Sequence, residues 1–204
     1  TLAGNERERW RALAEATGFE RIVLGRQVHG SRVLWHDRAQ RGFRLTGQCD
    51  GHATAVAGTL LAVSVADCVP VSIVDPERRA VALVHAGWRG VAGGVIEAGL
   101  LRLMERAGSY AGSLHVHLGP AICGECYEVG PEVHEALGLH APVTPEPVDL
   151  RAIIARRVAM AGVRVENITR SAYCTRCGDS PFFSHRAGCA ERQVGILGIV
   201  SGTR

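Results

Sequence analysis

The sequence contains no lysine, so all 23 of its basic residues are arginines. They are scattered along the chain, and against 20 acidic residues they leave a formal net charge of only +3. Nucleic-acid binding requires basic residues clustered on one face, so we expect no nucleic-acid partner. No apolar run approaches the roughly 18 residues of a membrane-spanning helix, so we also expect no membrane partner.

Long polar and low-complexity stretches are absent too, and such stretches are typical of disordered chains. With 204 residues, of which 47% are apolar, the chain has the size and composition of one folded domain. We therefore predict a single domain over 1–204. Because the chain opens without a methionine, we expect an N-terminal segment to be missing from it.

Seven cysteines are present, and an odd number without a recognisable secretory signal argues against a framework of disulfides. A reducing compartment suits such a chain better, because there cysteine and histidine serve metals or chemistry. We therefore predict a cytoplasmic protein.

Local patterns predict an α+β fold. Apolar, β-branched runs at 60–65, 69–74 and 80–84 indicate buried strands, and the turn residues at 75–78 predict that the last two form a hairpin. Helical spacing and capping signals predict a first helix from Asn5 to Gly18 and further helices at 90–107, 131–137 and 150–161. The remaining predicted strands are 22–24, 31–35, 114–118, 165–169, 182–183 and 194–200. Strands and helices do not alternate strictly, so we expect one or more mixed sheets with helices packed outside.

Three segments each place a metal-ligand residue at the end of a predicted strand. The residues are His29, Cys68 and His85. Thiolate and imidazole together suit zinc best, with copper as the alternative. Because three protein ligands leave a fourth tetrahedral position for water, this set predicts a catalytic rather than a structural zinc site.

Two Cys-x-x-Cys pairs offer a competing interpretation. Cys123 with Cys126 and Cys174 with Cys177 have the spacing of a structural zinc site, which would fit a non-enzymatic, zinc-stabilised binding module. Packing within a loop near the active site is the alternative. The other histidines carry weaker signals, and those predicted to be surface or turn residues are His36, His52, His134 and His140.

The metal-ligand segments and their neighbours resemble one family. It was once described as multicopper polyphenol oxidoreductases or laccase-domain proteins, and is now described as purine nucleoside phosphorylases of the YfiH/YlmD/FAMIN type. The matching motifs are Gln-Val-His-Gly at 27–30, Ala-Asp-Cys-Val-Pro-Val at 66–71, His-Ala-Gly-Trp-Arg-Gly at 85–90, Gly-Pro-Ala-Ile at 119–122, Cys-Tyr-Glu-Val-Gly at 126–130 and Phe-Phe-Ser-His-Arg at 182–186.

This resemblance implies layered mixed β-sheets with packed helices, similar to a bacterial toxin deamidase. It implies zinc bound by His29, Cys68 and His85, in a monomer or homodimer. The implied activities are phosphorolysis of purine nucleosides, including methylthioadenosine, and deamination of adenosine. The older name reflects a rival activity, copper-dependent oxidation of phenols.

Further site residues follow from the family motifs. We expect catalytic roles for Asp67 and Arg89, and substrate binding by Gln27, Asp50, Cys126 and Arg186. The sequence departs from the family pattern at His185, at Glu191 and at Cys123. A further alternative is a cysteine hydrolase with Cys68 as the nucleophile and His85 as its base.

Overall fold

The structure is a computed structural model that describes residues 4–38 and 41–201, with side chains described from residue 8 onward. Its helices are α1 (Gly4–Thr17), α2 (Trp88–Ala92), α3 (Val95–Ala107), α4 (Pro131–Ala136) and α5 (Leu150–Met160). Its strands are β1 (Arg21–Arg26), β2 (Val33–His36), β3 (Gly42–Gln48), β4 (Gly51–Thr54), β5 (Thr59–Val65), β6 (Val69–Asp75), β7 (Ala80–Ala86), β8 (His115–Leu118), β9 (Glu128–Val129), β10 (Glu146–Pro147), β11 (Ile168–Arg170) and β12 (Gln193–Gly198). No helix in these ranges is long and apolar enough to cross a membrane.

Two large mixed sheets organise the molecule. The first has four strands in the order β12-β5-β1-β3, in which β1 runs parallel to both of its neighbours and β12 is antiparallel to β5. The second has six strands in the order β11-β8-β6-β7-β4-β2 and is parallel only at its two edges. The short strands β9 and β10 form a separate antiparallel pair.

The inner faces of the two sheets pack against each other. Val23 and Leu61 of the four-stranded sheet share one buried cluster with Val81 and Leu83 of β7. Each such side chain contributes roughly 1.5–3 kcal/mol when fully buried. This apolar interface joins the two sheets.

Helices cover both outer faces. Trp10 and Leu13 of α1 pack on Ile22 and its neighbours in the four-stranded sheet. Ile96 of α3 and Ile154 of α5 belong to the large cluster that covers the six-stranded sheet. The result is four layers, helix, sheet, sheet and helices, and the predicted α+β class is confirmed.

Several local predictions need correction. The predicted helix at 90–107 is two helices, because Gly94 adopts a left-handed φ of 83° and interrupts it. Residues 182–183 are not in a strand, and the predicted strand at 165–169 begins only at Ile168 after a short 3-10 turn. Asn5 does not precede the first helix, since α1 already includes Gly4.

Two histidines predicted at the surface are buried. His52 is fully buried in β4 and contacts His36 across the pair of parallel strands, with 2.9 Å between Nδ1 of His52 and Nε2 of His36. His134 is 6% exposed. For His52 the local signal is the Asp-Gly turn before it, and pairing of β4 with β2 and β7 outweighs that signal. His134 lies in α4, and its ring is covered because Nε2 contacts the carbonyl of Glu146 at 3.2 Å.

Candidate metal centre

Two of the three predicted metal ligands lie at the open end of the β6–β7 hairpin. Side chains alternate between the faces of a strand, so His85 shares the face of Val81 and Leu83, which points toward the four-stranded sheet. Cys68 directly precedes β6, whose first residue pairs with the residue after His85. The antiparallel register therefore brings the thiol and the imidazole to the same end of the sheet.

The third ligand, His29, lies in the loop that follows β1. Its φ of 58° is in the left-handed region, which non-glycine residues adopt at a cost of roughly 1–2 kcal/mol. Asp50 offsets this cost, because its carboxylate accepts hydrogen bonds from the backbone N–H groups of Val28, His29 and Gly30 at 3.1, 2.9 and 2.8 Å. The loop is therefore fixed by a single buried side chain.

Asp50 also orients His85. Its Oδ1 accepts a hydrogen bond of 2.9 Å from Nδ1 of His85, and the two side chains are 0% and 3% exposed. With Nδ1 engaged, Nε2 of His85 is available to a metal ion, which is how carboxylates commonly orient metal-binding histidines. Asp50 is fully buried and its carboxylate accepts four hydrogen bonds from the protein, so in this structure it supports the two histidines, and its predicted contact with substrate stays a prediction.

The electrostatics of this cluster favour a bound cation. Burial raises the pKa of Asp50, but hydrogen bonds from His85 and from the backbone of Gly30 and Val28 outweigh burial and hold that pKa below its usual value. Burial likewise raises the pKa of the Cys68 thiol, but hydrogen bonds with His29 and His85 outweigh it and bring that pKa to about 7. Against the effect of burial, Asp50 and Cys68 raise the pKa of His85 to about 9. The cluster thus draws positive charge to its centre.

The ligand atoms of His29, Cys68 and His85 all lie within 4.8 Å of one another. A tetrahedral zinc ion separates such ligands by roughly 3.3–3.8 Å, so small side-chain movements suffice to close around it. Gly87 permits the approach, since a Cβ at this position would stand 3.0 Å from both Sγ of Cys68 and Cδ2 of His29. The donor set therefore fits a metal ion.

A cavity of about 420 Å³ opens over these three residues. This volume falls in the range of small-molecule sites, about 300–1,000 Å³. The lining residues come from both sheets and from the loop before β12, and are Leu24, Gly25, Gln27, His29, Ser64, Ala66, Cys68, His85, His185 and Arg192. His29 is exposed and His85 is buried, so the three ligand residues reach from the surface of the protein into its interior.

Gln27 lines this cavity, but its amide group is engaged by the fold. Its Nε2 donates to the carbonyl of Ser64 at 2.8 Å, and its Oε1 accepts from the N–H of Ser64 at 2.7 Å. The side chain thus extends the pairing of β1 with β5 beyond the last strand residue. It shapes the wall of the cavity and keeps few free hydrogen-bonding groups for a ligand.

Asp67 faces the C-terminal loop. It is 7% exposed, has a left-handed φ of 80°, and accepts hydrogen bonds from Oγ1 of Thr175 at 2.6 Å and from the backbone N–H of Arg186 at 2.7 Å. It does not line the cavity. In this structure Asp67 ties the C-terminal loop to the segment that carries Cys68, and its predicted catalytic role stays a prediction.

The two predicted arginines also lie outside the cavity lining. Arg89 is exposed, with its guanidinium 4.3 Å from the ring centre of Trp88. Arg186 stacks 5.1 Å from the ring centre of Tyr127 and donates to the carbonyl of Glu128 at 2.8 Å. These are the contacts that the structure shows for the two guanidinium groups, and their predicted roles with substrate stay predictions.

Besides the two metal-ligand histidines, the cavity lining includes the basic side chains of His185 and Arg192, whose Nδ1 and Nη2 atoms lie 3.5 Å apart. Arg192 is held by carbonyl groups of its own loop, at 2.8–3.0 Å. Sequence reasoning assigned no role to Arg192, although it noted a substitution beside it at Glu191. Nothing local distinguishes this arginine from the other 22.

Cys126 was predicted to bind substrate, but it lies with Cys123, Cys174 and Cys177. The four sulfur atoms lie within 4.8 Å of one another, apart from the cavity. All seven cysteines of the chain are free thiols in the structure.

Comparison with known proteins identifies the family of this chain. Residues 4–200 match the family described as multi-copper polyphenol oxidoreductase laccase. The chain belongs to this family. Among its relatives are an adenosine deaminase, RL5, from an unknown prokaryotic organism, 34% identical over 94% of this chain and 76% of its own length. The purine nucleoside phosphorylase YlmD of Geobacillus stearothermophilus is also 34% identical, over 92% of this chain and 76% of its own length.

Solved structures of this family show the same fold. The crystal structure of YlmD from Geobacillus stearothermophilus superposes with a TM-score of 0.87 at 32% identity, covering 94% of this chain and 78% of that one. A hypothetical protein YfiH from Bacillus licheniformis also gives a TM-score of 0.87, at 28% identity over 94% of this chain and 80% of its own.

Proposed function

We propose that this protein is a zinc-dependent enzyme that cleaves purine nucleosides by phosphorolysis and also deaminates adenosine. The observation that carries the proposal is that His29, Cys68 and His85 converge in the lining of a cavity of ligand size. Relatives that span most of this chain are named as a purine nucleoside phosphorylase and an adenosine deaminase.

Zinc suits this donor set better than copper. One thiolate and two imidazoles also occur at single copper sites, but there a long axial methionine commonly completes the set. Neither Met104 nor Met160 lines the cavity. Oxidation by several coppers requires further histidine clusters, and in the described part of the chain the other metal-ligand group consists of four cysteines.

When bound, zinc would supply a Lewis acid and a water of lowered pKa, the nucleophile that deamination requires. The chain's own residues supply the remaining functions. His185 and Arg192 line the same cavity as the metal ligands, and a guanidinium binds phosphate through paired hydrogen bonds. Asp50 and Asp67 act as positioning residues, the first for His29 and His85 and the second for the loop that carries His185.

The seven free thiols suit a reducing compartment, so we place the reaction in the cytoplasm. Purine nucleosides and phosphate are its partners in this proposal, and no nucleic acid takes part.

The test measures metal content and turnover in the same sample. Freshly purified protein is analysed by inductively coupled plasma mass spectrometry, and adenosine is followed by chromatography with and without phosphate. His29→Ala removes a ligand that is exposed and therefore dispensable for packing. His140→Ala, an exposed histidine far along the chain in a loop, is the matched control.

We expect zinc in the protein, together with adenine that appears only with phosphate or inosine that appears without it. His29→Ala should lose at least 100-fold in turnover, whereas His140→Ala should retain full turnover. Activity that survives removal of the metal but is blocked by thiol alkylation would instead support the cysteine-hydrolase alternative. Phenol oxidation with bound copper would support the oxidoreductase.

A further inference from the structure

A second group of metal-ligand side chains lies outside the cavity. It consists of Cys123, Cys126, Cys174 and Cys177, here called the four-cysteine cluster, and all four sulfur atoms lie within 4.8 Å of one another. The distance between Sγ of Cys123 and Sγ of Cys177 is 3.8 Å. Four thiolates at the usual Zn–S distance of about 2.3 Å stand about 3.8 Å apart around a tetrahedral ion. We propose that this cluster binds a structural zinc ion, in addition to the metal of the cavity.

Backbone groups already point at the sulfur positions. Sγ of Cys174 accepts hydrogen bonds from the N–H groups of Cys123 at 3.3 Å, Arg176 at 3.3 Å and Cys177 at 3.5 Å. Donors of this kind stabilise a thiolate and orient it, as the groups around metal ligands generally do. One of the three donors, the N–H of Cys123, belongs to the other Cys-x-x-Cys pair, so a hydrogen bond already joins the two pairs.

The fold holds the two loops together independently of any ion. Ala121 and Cys174 form an isolated parallel bridge, and the N–H of Thr175 donates to the carbonyl of Ala121 at 3.2 Å. The guanidinium of Arg176 donates to the carbonyl of Cys126 at 2.9 Å. This contact places a positive charge beside the cluster, where it offsets the net charge of −2 on a zinc ion with four thiolates.

The geometry fits one ion better than two disulfides. A disulfide draws two sulfurs to about 2.05 Å and leaves the pairs separate, whereas here each sulfur approaches all three of the others. Four soft sulfur donors with no open position are typical of structural zinc. Thiols that are protonated beforehand release their protons to solvent as the ion binds.

The location of the cluster gives the ion a specific task. Thr175 lies between Cys174 and Cys177, is 2% exposed, and donates to Asp67, the residue before Cys68. An ion that fixes the turn from Cys174 to Cys177 therefore also fixes Thr175. Because Thr175 holds Asp67, the same ion helps to position Cys68, a ligand of the cavity metal. Loss of the structural ion should weaken metal binding in the cavity, although the two sites share no side chain.

The test counts zinc ions in four versions of the full chain, purified under reducing conditions and dialysed into metal-free buffer. The unmodified protein should hold two equivalents, one for each group. The variants are Cys123→Ser/Cys177→Ser, His29→Ala, and Cys189→Ser as the matched control, because the thiol of Cys189 belongs to neither group. Cobalt substitution adds a second readout, since sulfur-to-cobalt charge-transfer absorption grows with the number of thiolate ligands.

We expect one equivalent to remain in His29→Ala, with the strong absorption of four thiolates after cobalt exchange, and two in Cys189→Ser. The double cysteine variant should lose that absorption and at least one equivalent. A His29→Ala protein without metal, or with iron in place of zinc, would overturn the assignment even if the double variant failed to fold. Stoichiometry does not depend on turnover, so failure of the proposed enzyme activity would leave this result intact.

Discussion

Replacing Asp50 by asparagine should disable the cavity metal site without touching a ligand. The carboxylate accepts four hydrogen bonds: Oδ1 from the backbone of His29 and from Nδ1 of His85, and Oδ2 from the backbone of Val28 and Gly30. Asparagine keeps one oxygen, so its NH₂ group must face one of these two pairs of donors. The imidazole can still accept from the NH₂ group, so one or two hydrogen bonds are lost, and at about 1.5 kcal/mol for each bond to a charged group the free energy of unfolding should fall by about 1.5–3 kcal/mol. For a chain of this size that corresponds to roughly 3–12 °C in Tm.

The metal affinity of Asp50→Asn should fall further than stability alone requires. If the NH₂ group faces His85, the imidazole must accept at Nδ1 and carry its proton on Nε2, the atom left for the metal. Losing such a partner typically costs 10–100-fold in affinity. Competition with a chromogenic chelator measures the affinity and thermal unfolding measures the stability. Asp37→Asn, which removes an exposed partner 3.6 Å from Arg106, is the control and should change little. An Asp50→Asn protein with unchanged affinity and Tm would refute this account of the site.

Three further predictions test the surroundings of the site. Gly87→Ala should lower the affinity for the cavity metal at least 10-fold, because the added Cβ would stand 3.0 Å from Cys68 and from His29. Gly47→Ala is the control, since its Cβ would have no neighbouring atom within 4 Å, and its metal affinity should not change. Competition with a chelator compares the two variants. Burial lowers the pKa of His52 to about 3, so as the pH falls the imidazole is protonated in the unfolded chain before it is protonated in the folded one. The free energy of unfolding should therefore decrease as the pH falls below about 6.5, by about 1–2 kcal/mol at pH 5. Urea unfolding at pH 7 and pH 5 should show a smaller decrease for His52→Gln than for the unmodified protein. Thr175→Val should lower the free energy of unfolding by about 1.5–3 kcal/mol, because it removes the hydroxyl that donates to buried Asp67. Thr175→Ser keeps a hydroxyl and should retain most of the stability in the same urea assay. Equal urea midpoints for the two variants would contradict this role of the hydroxyl.

Local sequence patterns predict the segments whose structure is decided locally. The β6–β7 hairpin follows from two β-branched runs and the turn at 75–78, and Asp75 indeed accepts hydrogen bonds from the N–H groups of Glu77 and Arg78 at 3.0 Å. Pro131 begins α4 as predicted, because its missing N–H costs nothing in the first turn. Strand β3 escaped prediction, since its residues are mostly exposed and only parallel pairing with β1 makes it a strand.

The same distinction applies to the metal centre. The three ligands are of recognisable types at strand ends, so the sequence indicates them as candidates. The role of Asp50 depends on pairing residues 20 to 35 positions apart, and its sequence context, Asp before Gly, indicates only a turn. Arg192 enters the cavity because of the path of an irregular loop, which no residue periodicity encodes.

The two walls of the cavity have separate origins. The metal ligands come from strand ends between positions 29 and 85, supported by two packed sheets, whereas His185 and Arg192 come from the irregular stretch 171–192. Substitution of His185 or Arg192 alone can therefore alter which ligand fits, because neither side chain contacts Asp67 or a metal ligand through a hydrogen bond that the structure shows. Directed evolution toward new substrates should therefore begin with saturation of positions 185 and 192, and leave the glycine at 87 and the buried acid at 50 fixed.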